Sequence, residues 1–460
     1  MHRATFQPIK ALDIELGQPF TDIEAPGYGS LHALIRGRGT PLGYVVLPLA
    51  GGRCAGGAVR DAVVRELGPA IAWHVAELTG MPQCPSDPAA AIDQLRRLPG
   101  AAPLPGGPAV SVAVCTRDRP ADVEACLAAL CRIEYPLLEI LVVDNAPRTN
   151  ATESLVQRCG GRVRYVREPR PGLSWARNRA IAEARGEILA FTDDDVTVDA
   201  RWVESFVRVF VEEPEAMAVT GLVAPGTFET RAQLWFEAYG GFGGGFERLR
   251  HRIDASRGER VASRYGWSGI AGTGANMAFR RSVFETIGGF DPAMGPGTPT
   301  RSGDDLDMFF RIVKAGHLLV YEPGVLVRHR HRRSYAEVRS QLTAWGVATC
   351  SYAVRSAWQH RDERGPFARA CGRWTWSRLR TLAGLLRRPA SYPRRLLLAE
   401  LSGVVIGVPM YPLSRRMAAR MARAADPPRE CIPASPENGL TGSPPTVRAP
   451  AERVSSRSPK

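Results

Sequence analysis

Three consecutive carboxylates, Asp193, Asp194 and Asp195, close the apolar run EILAFT, and the VTVD that follows holds no lysine or arginine to neutralise them. Adjacent like charges repel, and a bound divalent cation relieves the repulsion. In an extended chain Asp193 and Asp195 project to one side and Asp194 to the other. The outer pair can therefore face one hard cation and, through it, a diphosphate. A solvated turn is the other reading of an isolated DDD; the apolar strand ahead of it and acids at neighbouring strand ends favour the cation. A second acidic group, Asp304, Asp305 and Asp307, opens the amphipathic stretch MFFRIVKAG after the loop GPGTPTRSG. One aspartate suffices to cap a helix. Three in four residues suggest a general base among them.

Other segments carry weaker signals. In Arg328-His-Arg-His-Arg-Arg333, strand alternation puts His329 and His331 on one side and Arg328, Arg330 and Arg332 on the other. A His-x-His pair can ligate a metal, but flanking cations oppose it, and a phosphate-binding basic edge fits at least as well. Gly240-Gly-Phe-Gly-Gly-Gly245 lacks both the Lys-Ser/Thr and the preceding strand of a phosphate cradle, so it reads as a flexible acceptor-side loop. Trp267 suits a buried position or a sugar-stacking one. The nine cysteines include no CxxC pair, so neither a disulfide framework nor a zinc ribbon is indicated.

These residues need elements to hold them. AVSVAVCT (109–116), LEILVVDNA (138–146) and EILAFTDDD (187–195) read as buried strands, with helical stretches at 122–133 and around SWARNRAIAEARG. Alternation of this kind predicts a mostly parallel α/β sheet covered on both faces. Ligands of such sheets sit outside the carboxyl ends of the strands, where Thr116, Asp144 and Asp193 to Asp195 fall.

On these residues the stretch from about Val110 to Ser334 resembles family 2 glycosyltransferases of the GT-A nucleotide-diphospho-sugar fold. The matching segments are VSVAVCTRDRP, LEILVVDNA, PGLSWARNRAIAEARGEILAFTDDD, GTGANMAFRRSVFETIGGFD, GDDLDMFFRIVKAG and VLVRHRHRRS, in order. The resemblance implies a doubly wound sheet and an inverting transfer of a sugar from a nucleotide-diphospho-sugar donor to a hydroxyl acceptor. It places Asp193 and Asp195 on the DxD positions that hold magnesium or manganese. It puts Asp305 at the base that deprotonates the acceptor, with Asp304 where the family usually has Glu. His329, at the spacing of the family's histidine near metal or diphosphate, joins the metal set. Thr116, Arg117, Asp144, Arg177, Asn178, Asp194 and Asn276 fall to the donor side, Asn276 and its neighbouring glycines shaping the sugar floor; for Arg177 and Asn178 a structural ion pair is the other reading. Inversion by one displacement needs one base and no nucleophilic Ser or Cys. Processive synthases of the family carry QxxRW after the base; here Gln341 begins QLTAW, and Ala370 stands where Trp374 would need Gln, so single-sugar transfer is expected. A sugar-phosphate nucleotidyltransferase is a rival, set back by the lack of glycines in CTRDRPADVE; a catalytically inactive binding module is another.

The expected organisation is a small α/β domain (1–83), a Pro-rich linker (84–108), the transferase domain (109–334), a basic amphipathic helical region (335–424) and a disordered tail (425–460). Charge supports this division. Between Arg328 and Arg423 there are 20 arginines and four acids, net +16, against +14 for the whole chain. A chain-wide nucleic-acid coat is therefore not expected, and the basic region is left to face phosphates, anionic lipid or an acidic partner. The start, MHRATFQPIKALDIE, has no apolar h-region, so a cytoplasmic setting is expected. The run Leu396 to Leu413 is interrupted by Glu400, Pro409 and Pro412 and reads as an interfacial or core helix. Arginines beside it can snorkel to headgroups of the inner membrane face, where lipid-linked or cell-envelope glycan acceptors would be met.

Overall fold

The computed structural model describes residues 6–81, 83–99, 106–265, 271–387 and 393–425. The chain opens with β1 (Ile9–Glu15), β2 (Ile23–Glu24), β3 (Ser30–Gly37), β4 (Thr40–Pro48) and β5 (Arg53–Cys54). β3 lies between parallel β1 and antiparallel β4, and β2 pairs with β5. Arg38 and Gly39 link β3 to β4 with φ of 56° and 87°, the mirror-image turn whose twist suits a hairpin. α1 (Gly56–Thr79) covers this sheet with Val59, Val63, Ile71 and Val75, positions that share one helix face.

α2 (Pro88–Arg97), capped by Asp87, adds Ala91, Ile92 and Leu95 to the same core. This corrects the reading of 84–108 as a linker. Pro88 stands at the first turn, where its missing N–H costs nothing. The helical face of Ala91, Ile92 and Leu95 was hidden among the surrounding prolines.

The central sheet begins with β6 (Val110–Thr116), α3 (Pro120–Leu130), β7 (Leu138–Asn145), α4 (Ala151–Cys159), β8 (Val163–Glu168), α5 (Leu173–Glu183) and β9 (Ile188–Asp193). β6 pairs in parallel with β7 and β9, and β7 with β8. The chain thus winds outward through β7 and β8 and returns to the other side of β6, which opens a crevice at the carboxyl ends. Val112 and Val114 of β6 pack on one face with Leu127 and Phe206, Ala113 on the other with Ala176 and Ala180. Both faces being buried explains the continuous apolar runs.

The chain continues through β10 (Val196–Val198), α6 (Trp202–Glu212), β11 (Ala216–Pro225), α7 (Arg231–Tyr239), β12 (Leu249–His251), α8 (Val261–Arg264), β13 (Asn276–Arg280), α9 (Val283–Ile287), α10 (Asp304–Lys314) and β14 (Leu318–His329). The sheet order is β10-β14-β11-β13-β9-β6-β7-β8, with β12 against β14. The α/β sheet with helices on both faces is present. β13, antiparallel between β9 and β11, interrupts its parallel order.

Four helices follow: α11 (Tyr335–Gln359), α12 (Arg364–Arg387), α13 (Arg394–Gly407) and α14 (Met410–Ala425). Ser334 and Glu337 form a capping box that starts α11 at the end of the basic segment. α11 and α13 cross with their backbones touching. A Cβ on Gly346 would overlap the Glu400 carbonyl oxygen, and one on Gly403 that of Thr343. α13 and α14 meet at a 60° bend; no single helix among the described residues is long and apolar enough to cross a membrane, though this bent pair has the length and composition. The tail expected to be disordered lies, beyond Ala425, outside the described residues.

Candidate active site

β9 ends at Asp193, and Asp194 and Asp195 form the turn into β10, so strand alternation does not set where these carboxylates point. Asp193 opens into the crevice, 37% of its side chain accessible, with Arg177 Nη2 at 3.8 Å. Asp194 turns away and is buried, accepting from Thr116 Oγ1 at 2.7 Å and Arg119 Nη1 at 2.8 Å. Asp195 is half-buried, its side chain beside His329 Nε2 at 3.3 Å, with Arg119 at 3.5 Å and Arg332 at 3.6 Å. The sequence around the triad offers no cation, but the fold brings three, Arg119, Arg177 and Arg332, from distant segments.

Their electrostatics diverge accordingly. The crevice walls desolvate the Asp193 carboxyl although part of its side chain stays accessible, and with Asp195 they push it up to about 6 against the pull of Arg177 and His329. Burial also raises Asp194, partly offset by Thr116 and Arg119. Burial would raise Asp195, but the hydrogen bond and charge of His329, with Arg332 and Arg119, hold it well below the usual carboxylate range.

α10 begins on Gly303, whose φ of 94° turns the chain so that Asp304 and Asp305 enter the first helical turn. Asp304 is buried and paired with Arg177 Nη1 at 2.5 Å, and Arg177 also donates to the Gly274 carbonyl at 3.1 Å. Arg177 is thus a buried strut between both acidic groups. Burial disfavours the guanidinium charge, but Asp304, Asp193 and Asp305 outweigh it and raise the Arg177 pKa. Asp305 accepts from the Gly274 N–H at 2.8 Å and from its neighbour Leu306 N–H at 2.9 Å. Burial and the adjacent Asp304 raise its pKa, against Arg177 and those two N–H groups.

One cavity of about 960 Å³ joins these groups. Of the twelve expected site residues, nine line it: Thr116, Arg117, Arg177, Asp193, Asp194, Asp195, Asp304, Asp305 and His329. Three do not. Asp144 is buried beneath it, accepting from the Tyr165 hydroxyl at 3.2 Å while its Oδ1 has no hydrogen-bond partner, and Asn145 lines the cavity instead. Asn178 spends its amide on the Phe290 carbonyl and N–H, anchoring the loop ahead of α10. Asn276 is fully buried, donating to the Leu222 and Val325 carbonyls and accepting from Trp202 Nε1. It ties β13 to its surroundings, while Gly272 and Gly274 supply the floor.

The basic segment also departs from strand alternation, because β14 ends at His329. His329 and His331 do sit together, ring nitrogens 3.2 Å apart, with His331 bonded to Glu237. Arg330 turns to Asp122, but Arg332 swings back to Asp195. Arg119 and Arg332 therefore belong to the site; Arg332 was named only as part of a basic edge, and Arg119 follows strand β6 closely enough to have been suspected. The cavity reaches past the sheet to Phe242 in the glycine-rich loop and to Gln341, Trp345, Trp374, Arg378 and Glu400 on α11 to α13. Trp267 lies outside the described residues.

Among the described residues no three or more His, Cys, Asp and Glu side chains form a metal cage. Asp193, with Asp195 beside it, offers hard oxygen donors that suit a cation drawing its remaining ligands from water and a phosphate. The thiol of Cys115 also lines the cavity, and burial pushes it up to about 12, which disfavours its thiolate.

Residues 111–288 match the model of glycosyl transferase family 2, and this part of the chain is a family 2 glycosyltransferase domain. The chain is 29% identical over 196 residues to the pre-mycofactocin glycosyltransferase of Mycobacterium tuberculosis, a match covering 42% of this chain and 37% of that protein. It is 26% identical over 269 residues to the glucosyl-dolichyl phosphate glucuronosyltransferase of Haloferax volcanii, covering 55% and 76%. The solved mannosyltransferase PcManGT from Pyrobaculum calidifontis, in complex with GDP-Man and Mn2+, aligns over 78% of this chain and 98% of its own at 22% identity and a TM-score of 0.41.

Proposed function

We propose that the protein transfers one sugar from a nucleotide-diphospho-sugar to an acceptor hydroxyl, with inversion and with the help of a divalent cation. The observation that carries this reading is the meeting, in one crevice at the strand ends, of an open carboxylate (Asp193), a buried guanidinium (Arg177) and a second carboxylate (Asp305) held by backbone N–H groups. Asp193 and Asp195, with His329 against Asp195, are the residues that would hold magnesium or manganese. When bound, that ion supplies neutralisation of the departing diphosphate. Thr116 and Arg117 border the same end. Arg177 holds Asp304 and Asp193 in place, and Asp305 takes the proton of the attacking hydroxyl.

The acceptor we favour is a glycan or lipid-linked glycan. Leu398, Val405, Ile406, Val408 and Leu413 are exposed on α13, α14 and the bend between them, near Arg394, Arg395, Arg415 and Arg416. Exposed apolar side chains beside arginines suit an anionic membrane surface on the cytoplasmic side. Nucleotide-sugars screened with and without MnCl2 test the function: one donor should raise the melting temperature only with the cation, since a ligand of the native state stabilises it. Failure of every common nucleotide-sugar to do so contradicts the proposal.

A further inference from the structure

The cavity has a second end that donor chemistry leaves unused. There Tyr239, the last residue of α7, donates its hydroxyl to Glu400 of α13. Arg378 of α12 places Nε 3.3 Å from Glu400 Oε2 and Nη2 3.2 Å from the Tyr239 oxygen. Its guanidinium lies 4.9 Å from the Tyr239 ring centre and 5.3 Å from that of Trp374. All four residues line the cavity.

Glu400 is the single acid between Arg364 and Ala425, in a stretch with 13 arginines, and it is 3% exposed. A carboxylate on an otherwise apolar and basic helix surface is costly to bury unless it is paired. A structural tie between α7, α12 and α13 explains the pairing. It does not explain why the tie faces the catalytic cavity, next to the glycine-rich loop and two indole rings. The cluster sums to no net charge, so it attracts neither a free phosphate nor a cation. Paired donors and acceptors beside aromatic faces match a neutral polyhydroxyl ring, whose hydroxyls need hydrogen bonds and whose C–H face needs an apolar wall.

We infer that Glu400, Arg378, Tyr239 and Trp374 form the acceptor subsite, a seat for a neutral pyranose that brings its hydroxyl toward Asp305. This deepens the proposed transfer reaction and rests on it. Three of the four residues lie beyond the 111–288 stretch matched to the family, so this seat belongs to the chain's own C-terminal helices.

The test uses the full-length protein and saturation-transfer NMR. The probes are n-octyl β-D-glucopyranoside, galactopyranoside and mannopyranoside below their micellar concentrations, with pentaethylene glycol monooctyl ether as a tail-only control. At least one pyranoside should show saturation of its ring protons with the wild type. Glu400→Ala and Arg378→Met should weaken it about tenfold, the cost of one hydrogen bond to a charged group. Tyr239→Phe, which keeps the ring packing, should show a smaller loss. Melting-temperature shifts by UDP or GDP with MnCl2 should be the same in all variants, which also shows that they fold. Ring saturation unchanged in the variants, or confined in the wild type to the octyl tail, overturns the subsite. Loss of the nucleotide shift in the wild type, with ring saturation still dependent on Glu400, overturns the transfer reaction and leaves the subsite standing.

Discussion

The proposed base, Asp305, can work only with its carboxylate free of its proton, and burial beside Asp304 raises the pKa of that carboxylate. The rate should therefore climb with pH through a midpoint above the ordinary aspartate value of about 3.9. A kcat/KM profile flat down to pH 4 contradicts the assignment. Arg177 is the other residue whose removal has a stated cost. It is 4% exposed and Asp304 3%, so Arg177→Met strands a buried carboxylate and should cost about 3–5 kcal/mol in urea unfolding. A loss under 1 kcal/mol would mean that Asp304 is satisfied without it. The acids Asp193, Asp195 and Asp305 were legible in the sequence because their places at a strand end and a helix start are local facts. Asn178 and Asn276 were not, because an amide's partners depend on which loop folds over it. Here these are the loop ahead of α10 and the carbonyls of Leu222 and Val325.

At the scale of elements, the buried strands β6, β7 and β9 announce themselves as unbroken apolar runs, and their alternation with helices points to the switch point at β6. The reversed direction of β13 carries no such mark, since a strand buried on both faces reads the same either way. α2 was hidden by its flanking prolines. The C-terminal wall of the cavity was illegible for a different reason: Trp374, Arg378 and Glu400 form no motif and converge only once α12 packs on α13, itself set against α11 at Gly346 and Gly403. Gly403→Val must push these backbones apart, so it should cost about 1–3 kcal/mol. Acceptor affinity should fall with it while nucleotide binding persists. Unchanged stability, followed by thermal unfolding, would show the crossing to be loose.

At the scale of the whole molecule, the +16 region from Arg328 to Arg423 divides its labour. Arg332, Arg355 and Arg378 turn inward to Asp195, Asp291 and Asp307, and Glu400, while the exposed arginines of α13 and α14 accompany the bare apolar side chains. Full-length protein should float with vesicles containing phosphatidylglycerol and stay behind with pure phosphatidylcholine. Arg415→Glu combined with Arg416→Glu should abolish flotation; equal recovery with both vesicle types contradicts an electrostatic contact. The transfer itself is tested most directly by one comparison. Wild type and Asp305→Asn are given the nucleotide-sugar that stabilises the protein, MnCl2 and an octyl pyranoside, and the glycosylated product is quantified. The wild type should form product only with the cation, and Asp305→Asn should bind the donor equally well yet transfer about 10²–10⁴-fold more slowly. Turnover by Asp305→Asn within a few-fold of wild type would contradict the account.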